Sequence, residues 1–149
     1  MATERPNKNP YSAFNFIVEI NGAQVAAFQE VSGLDAENTP IEYREGGDAM
    51  NTVRKLPGIE KYPNVTCKRG ITGSTVLWDW RKEVRDGGTA FPPTRDVTIK
   101  LLDEKHQAVL KWKLTNAWCS KLSGPSLNAK TNEIAVETME LAHDRIDIE

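Results

Sequence analysis

The feature that most constrains this chain is a two-residue alternation of apolar and polar side chains, repeated in several separate runs. Phe14, Phe16, Val18 and Ile20 alternate with Ala13, Asn15, Ile17 and Glu19; Val97, Ile99 and Leu101 alternate with Thr98 and Lys100; Leu110, Trp112 and Leu114 alternate with Lys111 and Lys113. Period two sends successive side chains to opposite faces of a strand, so each run offers one apolar face to a core. Asn21-Gly22 follows the first run, and Ala23–Val31 is apolar and extended again. That arrangement predicts a hairpin with a type I′ turn, because both central positions of that turn need positive φ. Only Ser74–Asp86 has helical spacing, with Val76, Leu77, Trp80 and Val84 recurring three and four apart. Gly87-Gly88 is placed to end that helix in a left-handed cap, and Pro92-Pro93 forbids its resumption.

Further strands are expected at Leu34–Asn38, Asn64–Lys68, Glu133–Ala142 and Arg145–Glu149, with Ser120–Thr131 a surface loop. The sum is one domain, residues 1–149, behind a flexible polar lead at 1–10. It is mainly β: an antiparallel β-sandwich or rolled half-barrel with one flanking α-helix. Open β-structures leave edge strands that must be blunted or paired, and few guards beyond Pro40, Pro63 and Pro92-Pro93 stand here. Glu133–Ala142 is apolar on both faces, with Ile134 and Val136 on one and Ala135, Met139 and Leu141 on the other. Such a strand is central in its sheet or covered by another subunit.

Composition narrows the function. A net charge of −2 removes a bulk electrostatic case for nucleic acid. No apolar run approaches the roughly 20 residues of a membrane span. The N-terminus lacks a signal-peptide core, so the chain is expected to be made in the cytoplasm and to leave it by lysis or a dedicated machine. Cys67 and Cys119 are too few for a disulfide scaffold or zinc site, and Cys67, in step with Val65, reads as a small buried hydrophobe. His106 and His143 have no Cys or carboxylate at a ligand spacing and read as surface residues. Neither Gly46-Gly47 nor Gly87-Gly88 sits in the strand–loop–helix frame of a phosphate loop. No catalytic residue, cofactor or metal is expected. In Lys111-Trp112-Lys113 the indole faces away from both lysines, which makes it a core residue rather than a base-stacking platform.

One stretch fits none of these patterns. Ile41–Gly70 opens as a strand, breaks at Gly46-Gly47, turns at Pro57-Gly58 and becomes extended again at Pro63. A connection of this length inside a small domain is uncommon unless functional or disordered. Residues 46–60 read as an extended arm, and Met50, Val53, Leu56, Ile59 and Tyr62 are too apolar for a linker. Residues 41–71 hold six basic and four acidic residues, whereas 133–149 hold six acidic residues against Arg145. That split suits head-to-tail association of identical copies.

The segments IEYREGGD at 41–48, VRKLPG at 53–58, KYPNVTCKRG at 61–70 and LWDW at 77–80, with the opening FNFIVEINGAQVAAFQEVSGL, resemble one known family. It is the inner tail-tube protein of contractile phage tails, and more closely its relatives in phage-tail-like extracellular contractile injection systems. The resemblance implies a non-enzymatic structural protein related in fold to the haemolysin-coregulated protein of type VI secretion. Six-fold rings would stack into a tube, with sheets of neighbouring copies joined into a continuous β-barrel around the lumen. The implied partners are further copies, a surrounding sheath, baseplate or spike and terminator proteins, and protein cargo in the lumen. The expected subunit interface is Glu42, Tyr43, Arg44, Glu45, Gly46, Gly47, Arg54, Lys55, Leu56, Pro57, Gly58, Lys61 and Tyr62. Cys67 is smaller than the aliphatic residue the resemblance leads one to expect, and Met50 puts an apolar side chain at the arm's tip. The alternatives are a secreted ring that carries effectors, and a small β-sandwich hydrolase or carbohydrate-binding module.

Overall fold

The computed structural model describes residues 5–24, 28–87 and 93–149. Its strands are β1 (Phe16–Ile20), β2 (Ala23–Gln24), β3 (Glu30–Ser32), β4 (Glu37–Asn38), β5 (Ile41–Tyr43), β6 (Arg54–Leu56), β7 (Glu60–Lys61), β8 (Val65–Gly70), β9 (Arg95–Leu102), β10 (Ala108–Ser123), β11 (Val136–Ala142) and β12 (Arg145–Ile148). The helix is α1 (Val76–Asp86). Eight strands form one antiparallel sheet in the order β2-β1-β9-β10-β11-β8-β3, with β12 also on β10.

The sheet is rolled because β10 is shared. Along Ala108–Ala117 one edge of β10 pairs with β9. Its other edge pairs first with β12, at Trp112–Thr115, and then with β11, at Trp118–Ser123. Register shifts between Leu114 and Ala117 and between Cys119 and Lys121 bend the strand, as bulges do. The two halves close on a core of Val18, Ile20, Val65, Cys67, Val97, Ile99, Leu114, Ala117, Cys119, Met139 and Leu141. Helix α1 adds Leu77 and Trp80, the residues that its apolar stripe buries.

Local signals are realised where the chain is short-range. Asn21 and Gly22 take φ of 52° and 79° between β1 and β2, the type I′ hairpin the dipeptide predicts. The rest of Ala23–Val31 is interrupted by 25–27, outside the described residues. Helix α1 ends at Gly87 with φ 66° and its amide on the Glu83 carbonyl at 3.1 Å; Gly88 and Pro92 also lie outside the described residues. The Trp80 indole donates to the Pro93 carbonyl at 3.1 Å and lies 4.9 Å under the Arg95 guanidinium. Of the lead, 1–4 fall outside the described residues, while Arg5 pairs with Glu104 and stacks on Tyr11.

Two expectations are corrected. The loop expected from Ser120 begins only after Ser123, because the bulges throw β10 out of the simple alternation that marks a strand. Ile134 is 83% exposed rather than packed, since the strand that carries it starts at Val136. The structure also contains a pair that alternation concealed. Arg69 on β8 and Glu137 on β11 stand directly opposite in register, form an ion pair and are 2% and 4% exposed. Arg69 also donates to the Ser74 carbonyl at 3.0 Å, joining the sheet to the start of α1. Its Nη1 is buried with no partner among the described residues. Removing one member of such a pair leaves a buried charge, which costs about 3–5 kcal/mol. Arg69→Met should therefore lower the unfolding free energy in urea by about that much, and adding Glu137→Leu should recover most of the loss. Equal losses in the single and double variants would count against the uncompensated charge as the cause.

Candidate subunit interface

The long connection is a β-ribbon. Strand β4 pairs with β7, Glu37 opposite Lys61 and Asn38 opposite Glu60, at its root. Farther out β5 pairs with β6, Ile41 opposite Leu56, Glu42 opposite Lys55 and Tyr43 opposite Arg54. Residues opposite one another share a face. One face thus carries Ile41, Leu56 and Tyr43 with Arg54 beside it, and the other carries the Glu42–Lys55 pair. Neither face has a core: Ile41, Tyr43, Met50, Val53, Leu56 and Ile59 are between 43% and 81% exposed. A lone two-stranded ribbon is marginal in water, and apolar surface bared along one is a place for another chain.

The tip is held by polar contacts. The Asp48 amide donates to the Glu45 carbonyl at 3.1 Å, and the Glu45 amide to Asp48 Oδ2 at 3.0 Å. The Tyr43 hydroxyl donates to Glu45 Oε1 at 3.0 Å, Arg54 stands 3.6 Å from the same carboxylate, and Arg44 donates to Asn51 Oδ1 at 2.9 Å. Arg54 also lies 5.3 Å from the Tyr43 ring. Some charges expected to mark register between copies therefore meet within the arm.

The two glycine breaks serve different ends. Gly46 and Gly47 sit in the tip turn, have no left-handed φ, and leave open space where a Cβ would stand. Gly58 is required by close approach, since a Cβ would come within 2.1 Å of the Thr39 carbonyl oxygen. Its own carbonyl accepts from Asn38 Nδ2 at 3.1 Å. At the body, Gly33 (φ 87°) leaves room for the Asn64 carbonyl. Gly58→Ala should therefore accelerate amide hydrogen exchange in β4 and β7, whereas Gly47→Ala should leave exchange and melting unchanged.

Tyr62 returns the chain to the body against His143, their ring centroids 5.8 Å apart. His143 is not the free surface residue expected. It sits in the two-residue break between β11 and β12, its Nε2 3.1 Å from the Pro63 carbonyl and its Nδ1 buried with no hydrogen-bond partner among the described residues. The arrangement is that of a neutral ring donating through Nε2. Burial holds its pKa below the ordinary value, against the opposing pull of the Pro63 carbonyl, the Arg145 backbone and the Asp144 carboxylate. The unfolded chain therefore binds the proton first, so stability present above about pH 6.5 declines as pH falls through that value toward the folded-state pKa. His143→Gln should flatten this decline, read as the variant-minus-parent difference in urea midpoint between pH 7.5 and pH 5.

Chemistry of other kinds has little footing among the described residues. No group of three or more His, Cys, Asp or Glu could hold a metal ion. Burial pushes the Cys67 thiol up to about 12 and that of Cys119 up to about 11, so neither offers a thiolate at neutral pH. Strands β2, β3 and β12 each pair on one side only among the described residues.

Among the described residues, a sheet whose outer strands pair on one side only, joined to a ribbon whose Ile41, Tyr43 and Leu56 stay about half exposed, fits a structural subunit that packs against further chains. The chain belongs to the T4-like virus tail tube protein gp19 family, whose profile matches residues 12–147. It is a structural tube protein. No curated protein matches the sequence. Among solved structures, a chain of the extended-state sheath–tube complex of the PVC extracellular contractile injection system is 30% identical. The match covers 94% of this chain and 91% of that one, with a TM-score of 0.80. A chain of the tube-terminating cap of the anti-feeding prophage is 31% identical over 95% and 91%, with a TM-score of 0.81. The fold is shared with Hcp1 from Flavobacterium johnsoniae at 17% identity over 91% and 94%, with a TM-score of 0.63.

Proposed function

We propose that this chain is the repeating inner-tube subunit of a contractile injection device. Copies close into six-fold rings in which unpaired sheet edges meet, giving a continuous β-barrel around a lumen. Rings stack into a hollow tube that a sheath surrounds, between a baseplate with its spike and a terminator. Sheath contraction drives the tube through a target envelope, with protein cargo carried in the lumen. The subunit has no catalytic role, is made in the bacterial cytoplasm and leaves in a phage tail or a released particle.

One observation carries this reading: the bare apolar face of the ribbon, in a chain that matches tube proteins along almost its whole length. Closure into a barrel removes the edges that an open sheet leaves. The ribbon supplies the contact, through Glu42, Tyr43, Arg44, Glu45, Gly46 and Gly47 on the outward run and tip. Arg54, Lys55, Leu56, Pro57, Gly58, Lys61 and Tyr62 serve on the return. Exposed ion pairs contribute about 0–1 kcal/mol each, so they set register while Ile41, Tyr43 and Leu56 carry affinity.

Excising Glu42–Lys55 and joining Ile41 to Leu56 through Asn-Gly should leave a folded body that forms no tubes under negative-stain electron microscopy. Normal tubes from that variant would sink the arm's role. Isolated rings from the parent protein that never stack would favour a secreted carrier ring instead.

A further inference from the structure

The mouth between the two half-sheets holds an apolar groove of about 260 Å³. Ala13, Phe16, Leu34, Leu101 and Trp112 line it, and Glu30 of the one-sided strand β3 adds a carboxylate. We propose that this groove seats the arm tip of a second copy, with Met50 inserted and Arg44 against Glu30. The proposal rests on the reading that the arm joins copies, and it names the surface the arm meets.

Three observations select this occupant. Met50 stands 71% exposed at the ribbon's tip and does not line the groove of its own chain. A long, flexible thioether suits an irregular apolar gap. Charge is also complementary. At the tip, Glu45 is engaged by Tyr43 and Arg54 and Asp48 by a backbone amide, whereas the one side-chain partner of Arg44 among the described residues is the neutral Asn51 amide. Arg44 thus keeps its charge for Glu30, whose own cation, Lys68, is 3.6 Å away and exposed. A second exposed apolar segment, the loop with Leu127 and Ile134, would bring Glu133 toward Glu30, a like-charge meeting. Tip and groove are different patches, so the contact is head-to-tail and repeats from copy to copy.

Oxidation of tubes formed by the Ala13→Cys/Met50→Cys variant tests this directly, since native Cys67 and Cys119 are fully buried. A ladder of covalent multimers on a non-reducing gel is expected, absent from either single variant and from Ala13→Cys/Ile134→Cys. Tubes without a ladder, or a ladder from the Ile134 pairing instead, would overturn the groove as the arm's seat while leaving the arm's role intact. Failure of the parent protein to form tubes, or full assembly after excision of the arm, would strike the underlying reading itself. A second measurement does not depend on the cysteine variant assembling. Glu30→Arg and Arg44→Glu should each raise the protein concentration needed for assembly several-fold, and the combination should return it toward the parent. No recovery in the combination would overturn the pairing.

Discussion

Everything in this fold hangs on the pairing of β10 along both of its edges. Sixteen residues, Ala108–Ser123, bond to β9 on one side and to β12 and β11 in succession on the other. Two bulges bend the strand, and the bend turns one sheet into two facing halves with a shared core. Helix α1 caps that core through Leu77 and Trp80. The buried Arg69–Glu137 pair fixes β8 against β11 and, through the Ser74 carbonyl, fixes the start of the helix as well.

The same construction explains what is left unfinished. Among the described residues backbone pairing stops at β2, β3 and β12, so hydrogen-bonding groups remain at those edges of a well-packed body. The ribbon of β4–β7 and β5–β6 has pairing but no core. Edges lack partners while the ribbon lacks burial, and one kind of partner, another copy, answers both. A tube protein has reason to be stable as a body and incomplete as a surface, since its remaining apolar area is what assembly consumes.

Parts of the surface were legible in the sequence and parts were not. Met50, Val53, Leu56 and Ile59 stood out as apolar residues in a segment without core periodicity, and their exposure follows from that. Strand β6 went unseen because Arg54-Lys55-Leu56 has no apolar alternation, its pairing being decided by β5 across the ribbon. Gly46 and Gly47 need no special backbone or space, whereas Gly58 is explained by the Thr39 carbonyl between β4 and β5, which only the pairing of the ribbon brings against it. His143 belongs with these, because only packing brings Pro63 and Tyr62 to it.

Sequence alone determined the periods: that the apolar–polar alternating runs are strands, where Asn21-Gly22 reverses the chain, where the one described helix lies and where Gly87 ends it. Those are short-range properties set by side-chain direction and backbone sterics. Tertiary structure decided the rest. It bent β10 into both halves of the sheet, placed Arg69 opposite Glu137 out of water, turned an overlong connection into a paired ribbon and left that ribbon's apolar face open. Such outcomes depend on which distant strands meet and in what register, and the pattern of a single segment does not hold that information.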